Sequence, residues 1–140
     1  IAHHGQMPRY LAGNGEGREC LYSGQNKKLD EMCGYMNAMG FHSDIRDRVR
    51  EKLKTLKGRF HVGSAGVEAM NIACGKSDYL MHSKLTYWDS VPVVMVMQAL
   101  GHHVRLAPCG SPYQPGDKGV LLAAPSPVIW QELADFVWSV

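Results

Sequence analysis

The clearest pattern of apolar and polar positions begins at Ser43, a favoured N-terminal capping residue, and stops at Gly58, a residue typical of helix ends. Between them the apolar residues recur at helical spacing and define one face: Ile45, Val49, Leu53 and Leu56. The opposite face is basic: Arg46, Arg48, Arg50, Lys52, Lys54 and Lys57. The pattern predicts an amphipathic helix that packs on a core through its apolar side.

Three further helices are predicted, each from a capping residue followed by apolar periodicity. Ser64 begins the first, which ends at Gly75 with an inward set of Val67, Met70, Ala73 and Cys74. Ser126 and Pro127 begin the last, which runs through Trp130, Leu133, Ala134 and Val137.

The remaining helix is capped by Asp89 or Ser90, carries Pro92 in its first turn and ends at Gly101. It is apolar almost all round, through Val93, Val94, Val96, Met97 and Leu100. A helix without a polar face is typical of burial on both sides, so we expect it between two layers.

Short strands are predicted between these helices. They are Met32–Met36 (within an ambiguous segment, 29–39), Phe60–Val62, Asp78–Met81, His103–Ala107 and Val120–Ala124. Strands that alternate with helices indicate layered α/β architecture. Residues 1–28 are rich in glycine and contain two turn signals, so they are interpreted as a β-hairpin, and 29–140 as an α/β domain.

The glycine-rich run Gly13–Gly17 raises the question of a phosphate-binding loop. Such a loop follows a buried strand and opens a helix, so that backbone N–H groups face the anion. Here Arg18 to Tyr22 and a second turn follow instead. The turn of a hairpin is therefore the favoured interpretation.

Composition narrows the classes of function. The 140 residues are 45% hydrophobic and 20% charged, as in ordinary globular domains. A net charge of +2 does not favour a nucleic-acid partner, and the basic helix face has no interleaved aromatic residues. No apolar run approaches the roughly 20 residues of a membrane span. We expect neither a nucleic-acid partner nor a membrane.

Four cysteines, Cys20, Cys33, Cys74 and Cys109, lack the close spacing of a zinc site. Free thiols in a reducing compartment are expected, which indicates a cytoplasmic protein. The sequence begins at Ile1, in the middle of a pattern, and this suggests a piece of a longer polypeptide.

An ordered series of motifs resembles the C-terminal half of the inositol monophosphatase family, which belongs to the metal-dependent sugar phosphatases. The series is Gly63-Ser64-Ala65, then Ala73 to Tyr79, then Trp88-Asp89, then Leu100 to Val104. Leu121 to Pro125 and the closing helix resemble the family's last strand and helix, and the hairpin at 12–17 resembles the end of its N-terminal portion. The resemblance implies the C-terminal α/β part of an αβαβα fold.

The resemblance also implies roles for four residues. Asp89 would be a carboxylate ligand of Mg²⁺, a hard cation that prefers oxygen donors; the alternative is an ordinary helix cap. The amides of Ser64 and Ala65 would contact substrate hydroxyls, or else only open a helix. His82 stands where the family often has an acidic substrate contact. It would bind another phosphorylated or anionic group, or merely fill space.

The family's principal metal motif, Asp-Pro-(Ile/Leu)-Asp-Gly-Thr, is absent, and no Asp-Pro or Asp-Gly pair occurs in the 140 residues. No catalytic residue is therefore assigned. We expect part of a Mg²⁺-dependent phosphatase for a small sugar, inositol or nucleotide phosphate, inactive alone and homodimeric by resemblance. The alternative is a non-catalytic α/β module, derived from that family, for binding or oligomerisation.

Overall fold

A computed structural model describes residues 9–11, 17–19, 22, 24–56, 59–60 and 63–139. Its strands are β1 (Arg9–Leu11), β2 (Gly17–Glu19), β3 (Gly34–Met36), β4 (Arg59–Phe60), β5 (Tyr79–His82), β6 (His103–Ala107) and β7 (Val120–Ala124). Its helices are α1 (Ser43–Lys54), α2 (Ala65–Ala73), α3 (Tyr87–Ala99) and α4 (Pro127–Trp138), with a 3-10 turn at Leu29–Glu31. Helices and strands alternate, and the predicted α/β class is confirmed.

Within the described residues, five strands form a mixed sheet in the order β4-β3-β5-β7-β6. The strands β4, β3 and β5 are parallel, with Gly34 opposite Tyr79, and β7 runs antiparallel between β5 and β6. After β3 the chain continues to β4, at one lateral end of the sheet. After β5 it continues to β6, at the other lateral end. The carboxyl ends of β3 and β5 are therefore a point where the connections diverge.

The sheet separates two apolar cores. One contains residues of α1 and α4, including Val49, Leu53 and Leu133, and the other contains residues of α2 and α3, including Ile72 and Met97. Alternation along β5 supplies both cores, because Tyr79 and Met81 face α1 and α4 whereas Leu80 faces α2 and α3.

The helix α1 begins at Ser43, one residue after its capping residue, which is His42. The ring Nδ1 of His42 accepts a bond of 3.4 Å from the amide of Asp44. The prediction of Ser43 as the cap was therefore wrong by one position. The predicted inner residues Val49 and Leu53 are buried, and the predicted end at Gly58 lies outside the described residues.

The inner face of α2 differs from the prediction. Val67 is 47% exposed and Cys74 is exposed, whereas Glu68, Ala69 and Ile72 are buried, together with Ala73. Choosing only apolar residues for the inner face excluded the acid Glu68. The predicted inner face is therefore displaced by about one residue from the face that is buried in the structure.

The helix α3 begins three residues earlier than the Asp89 cap predicts. Thr86 occupies the capping position, so Asp89 lies in the first turn and Pro92 in the second. Only one side of α3 is buried among the described residues, through Ser90, Val93, Val94 and Met97. Met95 on the other side is 47% exposed. No second layer covers α3 in the described part of the chain, contrary to the prediction.

The strands β1 and β2 pair in antiparallel register, with Arg9 opposite Glu19. Most of the glycine-rich run between them, residues 13–16, lies outside the described residues, as do Cys20, His61 and Val62. The division between 1–28 and 29–140 stays a prediction. In the described ranges, every helix is too short or too polar to cross a lipid bilayer.

Candidate functional site

Three of the predicted site elements begin or end at one edge of the sheet. The helices α2 and α3 follow the parallel strands β4 and β5, so both begin at the carboxyl edge of these strands. His82 is the last residue of β5. The fold therefore brings the start of α2, His82 and the start of α3 to the same edge.

Ser64 caps α2 as predicted. Its Oγ accepts a hydrogen bond of 3.4 Å from the amide of Val67, and its carbonyl accepts one of 3.0 Å from the amide of Glu68. Ala65 is the first helical residue. The first amides of a helix have no partner within it and carry the positive end of the helix dipole. They are suited to an anionic or hydroxyl oxygen.

His82 is buried against an acid that sequence reasoning missed. The ring Nε2 of His82 lies 3.4 Å from Oε2 of Glu68, and both side chains are about nine-tenths buried. The pair joins the end of β5 to the first turn of α2 through an imidazole and a carboxylate. The available signal was helical spacing, since Glu68 and Ile72 are four residues apart on the same face.

Asp89 is exposed, and its carboxylate Oδ2 accepts a hydrogen bond of 2.9 Å from the hydroxyl of Thr86. It lies at a groove of about 430 Å³ between α2 and α3. Gly66 and Met70 line this groove from α2, and Trp88 is among the residues of α3 that do so. The carboxylate therefore faces an open cleft rather than an apolar interior.

The described residues do not form a complete metal site. Mg²⁺ takes about six oxygen ligands, usually including several carboxylates or waters held by them. Among the residues that the structure describes, no group of three or more histidine, cysteine, aspartate or glutamate side chains could hold a metal ion. Asp89 alone does not fit a catalytic metal centre.

At the opposite edge of the sheet lies another acid, Asp78, which is 1% exposed. Its carboxylate accepts bonds from the hydroxyl of Tyr22 at 2.5 Å, the ammonium of Lys27 at 3.2 Å and the amide of Cys33 at 3.0 Å. Burial and this carboxylate raise the pKa of Tyr22 far above its ordinary value. The network connects the segment before β3 to the amino end of β5.

Comparison with known proteins identifies the fold. No protein-family model matches the sequence, and no curated protein matches it. Among solved structures, inositol monophosphatase from Anabaena (Nostoc) matches with a TM-score of 0.69 and 23% identity, over 88% of this chain and 49% of that chain. SuhB of Mycobacterium tuberculosis matches with a TM-score of 0.68 and 20% identity, over 97% and 52%.

A third match is inositol monophosphatase II of Staphylococcus aureus, with a TM-score of 0.71 and 15% identity over 93% of this chain and 51% of that chain. The chain thus spans about half the length of the solved structures that it matches. At these identities the similarity shows the fold. The resemblance predicted from the motif series is confirmed at that level: the chain has the fold of about half of an inositol monophosphatase.

Proposed function

We propose that this chain is one part of a Mg²⁺-dependent phosphatase that hydrolyses a small sugar, inositol or nucleotide phosphate. The observation that carries the proposal is the open carboxylate of Asp89, at the same sheet edge as the first amides of α2. The fold of half an inositol monophosphatase supports the same class of reaction. Polypeptide outside this sequence would supply the remaining metal ligands.

Each predicted site residue has a role under this proposal. Asp89 would be one ligand of a Mg²⁺ ion shared with carboxylates from outside this sequence. The amides at Ser64 and Ala65 would bind substrate oxygens at the positive end of α2. His82, held by Glu68, would contact a phosphorylated or anionic group of the substrate.

Exposed apolar residues on the outer face of α2 and α3 favour the packing of a partner polypeptide there. Trp88 is 66% exposed, and Val67 and Met95 are each 47% exposed. Together with the groove beside Asp89 they form an apolar surface, of the kind that marks an interface. A polypeptide packed there would lie next to Asp89, the place where additional carboxylates are needed.

The same apolar face favours a second candidate function, a non-catalytic module for binding or oligomerisation. In either case we propose a homodimer in the cytoplasm, and the free thiols of Cys33, Cys74 and Cys109 are compatible with that compartment. The two candidates differ at Asp89, because a metal ligand tolerates no amide substitution whereas a binding module does.

The test is a phosphatase assay with Mg²⁺ on this chain and on a longer protein that contains it. We expect turnover from the longer protein only. Asp89→Asn in that protein should lower kcat/KM by about 100-fold or more, since it removes a metal ligand. Asp47→Asn is the matched control, because that side chain is 90% exposed on α1.

Two results would overturn the proposal. One is robust turnover by this chain alone, since it would show that the described residues complete the site. The other is an Asp89→Asn variant of the longer protein with unchanged activity, which would favour the non-catalytic module.

A further inference from the structure

A second crevice lies on the other face of the sheet from Asp89. It opens where the connections after β3 and β5 diverge, the position at which open α/β sheets characteristically bind ligands. Its volume is about 640 Å³, within the usual range of small-molecule sites. The loop after β3 contributes Gly40 and Phe41, and the loop after β5 contributes Ser83 and Lys84.

The crevice is distinct from the site at the start of α2. His82 points to α2, where it contacts Glu68, while Met81 packs in the core of α1 and α4. Ser83 follows His82 and lines the second crevice. Successive side chains at the end of β5 therefore serve opposite faces of the sheet.

The walls of this crevice are held together by a direct bond. The hydroxyl of Ser83 is buried and accepts a hydrogen bond of 2.9 Å from the amide of Gly40, which joins the two loops. A side chain at Gly40 would collide with the carbonyl of Ser83, so the close approach requires glycine there. The floor is apolar, with Phe41 and Trp138 among its lining residues.

The mouth of the crevice is basic. Lys84 and Lys118 line it and are exposed, and neither ammonium forms a salt bridge with a carboxylate in the described part of the chain. His42 at the start of α1 also lines it, with its ring 3.2 Å from the carboxylate of Asp44. No acidic residue is among the described residues that line it.

We propose that this crevice binds a small phosphorylated molecule with an aromatic or apolar body. The two free ammonium groups would hold the phosphate, since each is a donor without an anionic partner in the described part of the chain. The body of the ligand would lie against Phe41, Trp138 and the adjoining apolar floor. This site is additional to the one at Asp89, and its occupant need not react.

The test is a titration of this chain with AMP, followed by amide NMR, with inorganic phosphate and adenosine as separate titrations. We expect AMP to shift the amides of Gly40, Ser83 and Gly119, which all line the crevice. In the double variant Lys84→Gln/Lys118→Gln its affinity should fall by about tenfold or more, because charge-assisted bonds are lost. The matched control, Lys54→Gln/Lys76→Gln, removes two exposed charges elsewhere and should bind within about twofold of the parent chain.

Several outcomes would contradict this site. Absence of AMP binding up to about 10 mM would overturn it, as would equal loss in the two double variants. Adenosine that binds as tightly as AMP would show that the lysines do not recognise phosphate. Shifts confined to residues 64–67 would overturn this crevice while supporting the proposed site at α2, so the two proposals fail separately.

Discussion

The two ends of the sheet place carboxylates in opposite environments. Asp78, before β5, is enclosed and accepts from Tyr22, Lys27 and the amide of Cys33. Asp89, after β5, is exposed, and the described structure gives its side chain a single hydrogen-bond donor, the hydroxyl of Thr86. The first carboxylate has its oxygens occupied by the protein, and the second has most of its lone pairs available.

This difference separates a structural acid from one that can serve a ligand. A buried charge is tolerated only when hydrogen bonds replace the water that it has lost, so Asp78 contributes to the fold and is closed to other partners. An exposed carboxylate at a helix start costs the fold little, and its free oxygens can coordinate a cation. The comparison assigns stability to one end of the sheet and ligand chemistry to the other.

The largest expected effect is that of Asp78→Asn. The substitution keeps the shape of the side chain but turns one acceptor into a donor among buried donors, so the free energy of unfolding should fall by about 4 kcal/mol. Asp89→Asn should change it by no more than about 0.5 kcal/mol, since only a weak helix-dipole interaction is lost. Urea denaturation of both variants measures the difference. Equal destabilisation by the two substitutions would show that the two acids are not distinct.

A second experiment compares the two sides of α3. Met97 is 0% exposed and packs in the core with α2, so Met97→Ala should lower the free energy of unfolding by about 3 kcal/mol. Met95 faces outward beside the groove, and Met95→Ala should change it by less than about 0.5 kcal/mol. The same urea titrations apply. A Met95→Ala variant as unstable as Met97→Ala would mean that something already covers the outer face.

Local signals in the sequence predicted the scaffold better than its details. The caps at Ser64 and Ser126 were identified correctly because a hydroxyl that binds a nearby amide is a short-range feature. The start of α3 was predicted three residues late, because an acid in the first turn satisfies the same charge preference as a cap. The predicted roles of Ser64, Ala65, His82 and Asp89 stay predictions.

Contacts between distant residues could not be predicted from one sequence. Tyr22 and Asp78 are 56 positions apart, and nothing in the spacing of either indicates their hydrogen bond. Glu68 was missed because an acid was assumed to face water, whereas its carboxylate is buried in contact with the ring of His82. The second crevice also depends on the order of the strands, which is a property of the whole fold.

The smallest expected effect is a pH dependence from His102, which belongs to the enclosed end. Its Nε2 lies 2.9 Å from the carbonyl of Asp78, so this nitrogen is the donor, and the buried Nδ1 has no partner in the described structure. Burial lowers the pKa of His102 below its ordinary value of 6.5. Protonation would place a second N–H where no acceptor is available.

The folded pKa of His102 lies below the unfolded one, so the unfolded chain binds more protons once the pH falls through 6.5. The free energy of unfolding should therefore decrease by about 1 kcal/mol between about pH 7.5 and about pH 5.5. His102→Gln keeps a donor for the carbonyl and should flatten this slope. His103→Gln is the control, because burial and Arg105 also lower the pKa of His103, but its ring is only partly buried. If His102→Gln leaves the dependence of the free energy of unfolding on pH unchanged, the enclosed end of the sheet does not exclude a charged imidazolium, contrary to this prediction.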